Sequence, residues 1–323
     1  MVFKKTSKQL RNPIFDLLRI ILTVFVINVH IRIITGVKSN FLEPYTWYTV
    51  PLFIILSFFF VSSKPLIMRL KRLFLPLIFW SIIGFIVHPN LINSKNIFLQ
   101  MITGHVVDTP LYYLVLLIIF TIIYWLINKL SSRIQIFIYS SIVLIVLFLE
   151  YSHLNYNFFS PMIEVIKKSY GRFVELIKFV SVGLAFSYLS KKINNKSIFF
   201  ILSLIFLTLF FIVSYILVPP DFHFSGLKTL MGSVAIFSLI VSLSNFKFNK
   251  KTNVFINSFG KYSFGVYLSH YLLLEVILIA FPILKSFIII NQFLFLFCFV
   301  IFCYLFCFLF DLLTFKKFSF FVK

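Results

Sequence analysis

Long apolar stretches separated by short polar segments divide the chain. Ten of them are long enough, or nearly so, to cross a hydrocarbon core of about 30 Å as α-helices. The third is short and contains Pro76, Trp80 and Gly84, so we expect a kink or a partly re-entrant segment there. The pattern predicts an all-α fold, a polytopic membrane bundle of about ten transmembrane helices. Their predicted limits are 14–34, 45–63, 73–89, 110–128, 134–151, 173–190, 197–218, 227–245, 258–281 and 287–312.

The connections between the apolar stretches are too short for a second domain. The longest of them cover residues 90–109 and 152–172, and no internal repeat is visible. We therefore expect a single integral membrane domain over residues 1–323, with no separate soluble domain.

The first apolar stretch, FDLLRIILTVFVINVH, carries polar side chains where a plain membrane anchor has none. One helical face collects Asp16, Arg19, Thr23 and His30, whereas Asn28 lies nearly opposite. Arg19 and His30 are about three turns apart, or about 16 Å along the axis. Because ionisable groups in hydrocarbon are costly, this face indicates a pathway or a site. The structural alternative has Arg19 reaching the cytoplasmic surface beside Asp16, with His30 solvated near the other interface.

Composition supports membrane insertion and changes the interpretation of the charge. Of 323 residues, 61% are hydrophobic and 12% are charged, which leaves too little polar surface for a water-soluble globule. The net charge of +21 would suit a nucleic-acid partner, but the basic residues occur as short clusters between apolar stretches. We therefore expect contact with membrane lipid and no nucleic-acid partner.

The basic residues also predict the orientation of the chain. If the N-terminus is cytoplasmic, 19 Lys and Arg residues fall on that side and 8 on the other. Lys and Arg accumulate in cytoplasmic loops of membrane proteins. We therefore predict that both termini face the cytoplasm.

The densest basic cluster lies in SSKPLIMRLKRLFLPLIFW, which the pattern places in a cytoplasmic loop. Arg69 and Arg72 are three positions apart, so on a helical turn they lie together and suit a phosphate group. Alternatively, the cluster only fixes topology and contacts anionic lipid head groups. The pattern by itself leaves both interpretations open.

Three cysteines, Cys298, Cys303 and Cys307, fall within one Phe-rich stretch. No histidine or acidic residue is near enough in the sequence to complete a metal site with them. We expect no metal, and we interpret the three thiols as small buried apolar groups.

Three motifs occur in a fixed order along the chain. The first is Arg19 and His30 with ten residues between them, and the second is Arg69-x-x-Arg72 with Pro76 and Trp80 following. The third is FGKYSFGVYLSH, which contributes Gly260, Lys261, Ser263, Gly265, Tyr267 and His270. Together they resemble the acyltransferase-3 family of bacterial membrane O-acyltransferases. One segment departs from that family, which usually has His-Leu-Trp-Tyr-Leu where this chain has Pro110, Leu111, Tyr112, Tyr113 and Leu114.

The resemblance implies transfer of an acyl group, most often acetyl from cytoplasmic acetyl-CoA, to a hydroxyl of an extracytoplasmic sugar. The acceptor would be a glycan or a lipid-linked sugar, and the protein would be multi-pass in the bacterial plasma membrane.

The same resemblance assigns roles to particular residues. Arg69 and Arg72 would hold the CoA phosphates, and His30 would act as general base, because histidine titrates near neutral pH. Asp16 would orient Arg19 at the mouth of the site. Ser263, Tyr267 and His270 are possible pocket residues, although a packed aromatic ring and a structurally bonded histidine explain the last two equally well.

A transporter or exporter of polysaccharide or of a small anion is the alternative function, because ten spans with a polar midline also describe carriers. Against it, the sequence shows no matched pair of broken helices in two halves.

The remaining ionisable residues have simpler interpretations. Glu175 and Lys178 are three positions apart and are expected to pair, and no partner is evident for Glu275 or Asp311. Four further histidines are expected to be solvated residues at span ends or in loops, namely His88, His105, His153 and His223.

Overall fold

The computed structural model describes residues 12–36, 42–61, 66–88, 111–152, 160–216 and 226–314. Within these ranges the chain is 89% helical and contains no strand, which confirms the all-α prediction. A 3₁₀ turn at Leu243–Asn245 directly follows the helix over Leu227–Ser242. The α-helices are α1 (Pro13–Thr35), α2 (Glu43–Thr46), α3 (Thr49–Phe59), α4 (Leu66–Val87), α5 (Tyr112–Ile127), α6 (Ser132–Ser152), α7 (Ser160–Lys192), α8 (Ser197–Ile216), α9 (Leu227–Ser242), α10 (Lys250–Ala280), α11 (Leu284–Ile290) and α12 (Gln292–Leu313).

Six of these helices are long and apolar enough to cross a membrane, namely α1, α4, α8, α9, α10 and α12. Helices α5 and α6 contain shorter apolar stretches, and the 11 residues of α3 extend only about 16 Å. The described part of the chain is therefore that of a multi-pass membrane protein. All ten predicted spans overlap helices, and a total of ten crossings remains a prediction.

Helix α1 has defined signals at both ends. Its N-cap is Asn12, whose side-chain oxygen accepts a hydrogen bond from the Ile14 amide at 3.0 Å, and Pro13 occupies the first turn. At the other end Gly36 adopts φ 71°, a left-handed conformation that favours glycine, and its amide bonds to the Arg32 carbonyl. These caps set the length of α1 and hence the depth of its polar residues.

Helices α1 and α10 pack side by side in parallel. Successive contacts along the two helices join Asp16 with Gly260, Thr23 with Ser263, and His30 with His270. Because the residue numbers rise together, the N-terminal ends of both helices lie at the same side of the bundle. Two parallel spans need an odd number of crossings between them, as the ten-span prediction has.

The helix bounds differ from the predicted limits of several spans, and two of the differences concern α4 and the last span. Helix α4 begins at Leu66 and runs unbroken to Val87, so the expectation of a partly re-entrant segment there is wrong, and the predicted span 73–89 falls mostly within a longer helix. Pro76 lacks an amide hydrogen, but it removes only the hydrogen bond to the Arg72 carbonyl and does not end the helix. The last predicted span, 287–312, divides at Asn291 into α11 and α12.

The parallel packing leads to a topology prediction. A reporter fused after Asn249, just before α10, should read cytoplasmic, and one fused after Gly36, just after α1, should read external. The expectation combines the 19 to 8 distribution of basic residues with the direction of the two helices. Protease protection of the same fusions in inverted vesicles is the check. Reporters that read the same side at both positions would contradict it.

Candidate active site

The polar face of α1 begins with an ion pair. The Arg19 guanidinium contacts the Asp16 carboxylate, and it also lies over the Phe60 ring at 5.5 Å. The Asp16 side chain is 1% exposed, whereas that of Arg19 is 29% exposed. The buried carboxylate therefore orients a cation that can still reach a ligand at the end of the bundle. This is the pairing predicted from the sequence.

Helix α10 approaches α1 most closely beside this ion pair. A Cβ atom added to Gly260 would lie 2.5 Å from the Asp16 Cβ and 2.7 Å from its Cγ. Real Cβ atoms do not come so close to another side chain. The absence of a side chain at residue 260 is thus what permits the two helices to touch here.

In the middle of the face, hydroxyl groups are used for helix packing. Thr23 donates to the Arg19 carbonyl at 2.8 Å and approaches the Ser263 carbonyl at 3.5 Å. The Ser263 hydroxyl is buried and lies 2.9 Å from the Tyr304 hydroxyl of α12. Of the three predicted pocket residues, Ser263 is therefore the one with clear bonding partners that join helices.

Two histidines meet where the polar face reaches the interior. The rings of His30 and His270 have centroids 5.0 Å apart and planes inclined by 53°. His270 is fully buried, whereas His30 is half-buried. His30 Nδ1 is inaccessible to solvent, and no described residue forms a hydrogen bond with it. The prediction of a solvated His30 at the far interface does not describe this position.

The protonation of His270 follows from its hydrogen bonding to the backbone. His270 Nδ1 lies 3.1 Å from the Val266 carbonyl oxygen, which can only accept, so Nδ1 carries the hydrogen. In a neutral imidazole the other nitrogen, Nε2, then has a lone pair. This atom is buried and has no hydrogen-bond partner among the described residues. The pair thus presents two nitrogen atoms in the bundle interior whose bonding is incomplete.

Aromatic rings enclose the two histidines. The Tyr271 ring lies nearly perpendicular to the His30 ring, with centroids 5.1 Å apart. The Tyr267 ring lies 5.1 Å from Tyr113 of α5 and 5.4 Å from Phe53 of α3. Because Tyr267 also neighbours the second histidine at 6.1 Å, the predicted pocket residues Tyr267 and His270 are brought together with His30.

The sequence interpretation did not include Tyr113, Tyr271 and Phe53 in the site. Tyr113 had a signal, since it stands in the segment that departs from the family pattern. Tyr271 directly follows His270, but adjacent residues on a helix point about 100° apart, so adjacency by itself did not imply a shared contact.

The two predicted donor-binding arginines have different environments. Arg69 donates from Nε to Thr121 at 2.9 Å and from Nη2 to the Ser57 hydroxyl at 3.1 Å, and its guanidinium lies over Phe58 at 4.8 Å. It therefore ties α4 to α3 and α5. Arg72, one turn later, is exposed. Both belong to the first turns of α4 rather than to a loop before it.

His88, Glu275 and Asp311, for which the sequence predicted no site role or partner, form contacts between helices. His88 Nε2 lies 2.9 Å from a carboxylate oxygen of Glu275, so the expectation of a solvated His88 is wrong. Asp311 accepts from the Tyr262 hydroxyl at 3.0 Å and lies 3.8 Å from Lys261 Nζ. These contacts connect α4 and α12 to α10. The predictions for His105, His153 and His223 fall outside the described residues.

Among the residues that the structure describes, no three His, Cys, Asp or Glu side chains lie close enough together to hold a metal ion. The ionisable groups of the α1 face are two histidines in contact with tyrosine rings and, about 16 Å away along the helix, an Asp–Arg pair. This set suits proton transfer and the binding of an anion.

Comparison with known proteins gives one match. A family model described as an acyltransferase domain matches residues 12–312, which is nearly the whole chain and includes every residue of the site described above. No curated protein and no solved structure was found to match the chain.

Proposed function

Because the chain belongs to the acyltransferase-3 family, and is therefore an acyltransferase, we propose that it moves an acetyl group from cytoplasmic acetyl-CoA to an extracytoplasmic sugar hydroxyl. The acceptor sugar belongs to a glycan or is lipid-linked, and the membrane is the bacterial plasma membrane. The family match favours this enzymatic role over the alternative of a transporter.

The observation that carries the proposal is the meeting of His30 and His270 inside the bundle. Acyl transfer to a hydroxyl needs a base that removes the hydroxyl proton, and histidine is the residue most often used for this. His30 is half-buried, so part of its ring remains open to a substrate, while the Tyr271 ring packs against it. We assign His30 as the general base.

The reaction balances with this single base. A neutral His30 nitrogen takes the proton from the sugar hydroxyl, and the oxygen attacks the thioester carbonyl carbon. The carbon–sulfur bond then breaks, and the CoA thiolate takes the proton back from the imidazolium. The products are an acetyl ester and free CoA, and His30 returns to its starting state.

The polar face of α1 supports entry of the donor from one end. Arg19 and His30 are about 16 Å apart along the helix, and the exposed part of Arg19 lies at the N-terminal end of α1. In the proposed arrangement Arg19 meets the anionic part of the donor, and the pantetheine arm extends along the α1–α10 contact toward His30. Asp16 keeps the guanidinium in place through its ion pair.

The proposal is tested by reconstituting the purified protein into liposomes with isotope-labelled acetyl-CoA outside and a glycan acceptor inside. Mass spectrometry should find the label as an ester on the enclosed glycan, and free CoA should appear outside in equal amount. Movement of unmodified glycan across the bilayer, with no ester formed, would support the transporter instead.

A donor-site prediction separates the two arginines of α4. Arg72→Ala should raise the KM for acetyl-CoA about tenfold with the acceptor KM unchanged, because one exposed charge-assisted phosphate contact is lost. Arg72→Lys should restore it partly, since lysine keeps the charge without the fork. Arg69→Ala should in addition destabilise the protein by about 1.5–3 kcal/mol, because its hydrogen bonds to Thr121 and Ser57 are lost.

The matched control for these variants is Lys71→Ala, which removes an exposed cation from the same turns of α4. Steady-state kinetics with each substrate varied in turn, together with thermal unfolding in detergent, measures all four proteins. Equal effects of Arg72→Ala and Lys71→Ala would show that the cluster acts only through general charge.

A further inference from the structure

The two incompletely bonded nitrogen atoms belong to neighbouring rings. His30 Nδ1 and His270 Nε2 are both inaccessible, and neither has a hydrogen-bond partner among the described residues. A buried polar atom without a hydrogen-bond partner destabilises the folded protein, so two such atoms in the same contact call for an explanation. They belong to rings that contact each other, so each is a candidate partner for the other.

The spacing of the rings agrees with such a bond. Two imidazoles joined by an N–H···N hydrogen bond of about 2.9 Å have centroids about 5 Å apart. The observed centroid distance is 5.0 Å. The two rings are therefore close enough for such a bond when the His30 ring directs Nδ1 at His270.

The hydrogen bond from His270 to the Val266 carbonyl determines which histidine nitrogen is the donor and which is the acceptor. The Val266 carbonyl requires the hydrogen of His270 on Nδ1, which leaves Nε2 as an acceptor only. A partner of that acceptor must be a donor, so the matching tautomer of His30 carries its hydrogen on Nδ1. The lone pair of His30 is then on Nε2, the nitrogen on the other side of the ring.

We propose that His270 is the positioning residue for the general base: its Nε2 accepts a hydrogen bond from His30 Nδ1–H and so holds the His30 Nε2 lone pair toward the acceptor hydroxyl. The chemical consequence rests on the proposed function, whereas the tautomer of His30 does not. When His30 takes the hydroxyl proton on Nε2, His270 stabilises the imidazolium through the same bond. The proton remains on His30 until the thiolate takes it.

Burial decides which histidine is the base. His270 has 0% of its surface exposed, and its ring is enclosed by Tyr267 and His30. A substrate hydroxyl cannot reach its Nε2 without displacing one of these rings. His30 is half-buried with its Nδ1 edge enclosed, so the open part of the ring is on the other side.

The tautomer is tested directly by ¹⁵N NMR of the full chain in lipid nanodiscs, with ¹⁵N-labelled histidine. The His30 signals are identified by their loss in His30→Gln. In the wild type we expect a protonated Nδ1 and an unprotonated Nε2 on His30. In His270→Ala we expect a mixture of both tautomers. A wild-type His30 protonated on Nε2, or the same tautomer ratio in both proteins, would overturn the assignment.

The kinetic test asks whether His270 acts through His30. His270→Ala should lower kcat about 10- to 100-fold with little change in the KM for acetyl-CoA, as loss of an orienting partner does. His270→Gln should recover part of that loss, because its amide oxygen can accept from Nδ1–H. In the His30→Gln background, His270→Ala should cause no further loss. A further loss of similar size there would show an independent role and overturn the proposal.

Two features keep these outcomes separable. Ser269→Ala, the neighbouring buried polar residue, removes only a hydroxyl that lies 3.9 Å from Cys307 and should leave both readouts unchanged. Failure of the wild type to transfer any acyl group would contradict the proposed function. The NMR measurement on the resting protein would still decide the tautomer.

Discussion

Replacing His30 by Gln should lower kcat for acyl transfer about 10²- to 10⁴-fold, because the variant keeps a polar side chain but has no nitrogen that can take the hydroxyl proton. The protein should still insert, since the helix length and the lipid-facing residues of α1 are unchanged. Binding of acetyl-CoA should also persist, because Arg19 and Arg72 are untouched. Single-turnover transfer of labelled acetyl, measured beside equilibrium binding of CoA, separates the two effects.

His88→Gln is the matched control, since it makes the same chemical change at another described histidine. His88 is bonded to Glu275 at the end of α4, so its loss should lower stability by about 1.5–3 kcal/mol and leave turnover within a few-fold. If His30→Gln kept most of the wild-type turnover, His30 would be a structural residue, and the base would have to be sought elsewhere.

Gly260→Ala should have the second largest effect, because it forces α1 and α10 apart. The added Cβ would lie 2.5 Å from the Asp16 Cβ, and Asp16 cannot withdraw without breaking its ion pair with Arg19. Overpacking of this kind costs about 1–3 kcal/mol of stability. A displacement of about 1 Å between catalytic groups is enough to lower the rate about 10²-fold. Thermal unfolding and kcat, measured on the same preparation, test both expectations.

Two other glycines show whether the effect is specific to the α1–α10 contact. At Gly226 a Cβ would meet nothing closer than 3.9 Å, so Gly226→Ala should leave turnover unchanged. At Gly183 a Cβ would lie 2.6 Å from the Ile55 carbonyl oxygen, in the contact between α3 and α7. Gly183→Ala should therefore lower the stability of the protein, but it should lower kcat less than Gly260→Ala does. Equal kcat losses at 260 and 183 would show that the rate follows stability alone.

The helices themselves were largely predictable from the sequence. In a bilayer every backbone polar group must be bonded within its own segment, so an apolar stretch of sufficient length specifies a helix. The polar face of α1 was equally accessible, because Asp16, Thr23 and His30 follow the helical repeat. What the pattern could not give was the helix that packs on this face, since the partners lie 240 residues away in the chain.

The bounds of α4 show where local patterns fail. Hydropathy placed the basic segment in a loop because it is too polar for hydrocarbon, yet the helix continues through it, and Pro76 did not shorten it. Helices extend beyond the membrane as long as their side chains can remain near the polar interface.

Arg69 illustrates a second limit. A guanidinium suits a phosphate group and a pair of hydroxyls equally well, so its residue type does not name its partner. The structure gives it Thr121 and Ser57, which no local spacing relates to Arg69. Arg72 has the same residue type and differs only in being exposed.

The separation between α1 and α10 also has a consequence for biosynthesis. Ribosomes add roughly 5–20 residues per second, so the 240 residues between Thr23 and Ser263 take about 12–48 s to make. During that interval α1 is already synthesised while the helix that covers its buried Asp16 and its histidine does not yet exist. The nascent chain must therefore keep this face away from lipid, against the insertion machinery or an earlier helix, until the last quarter of the protein emerges.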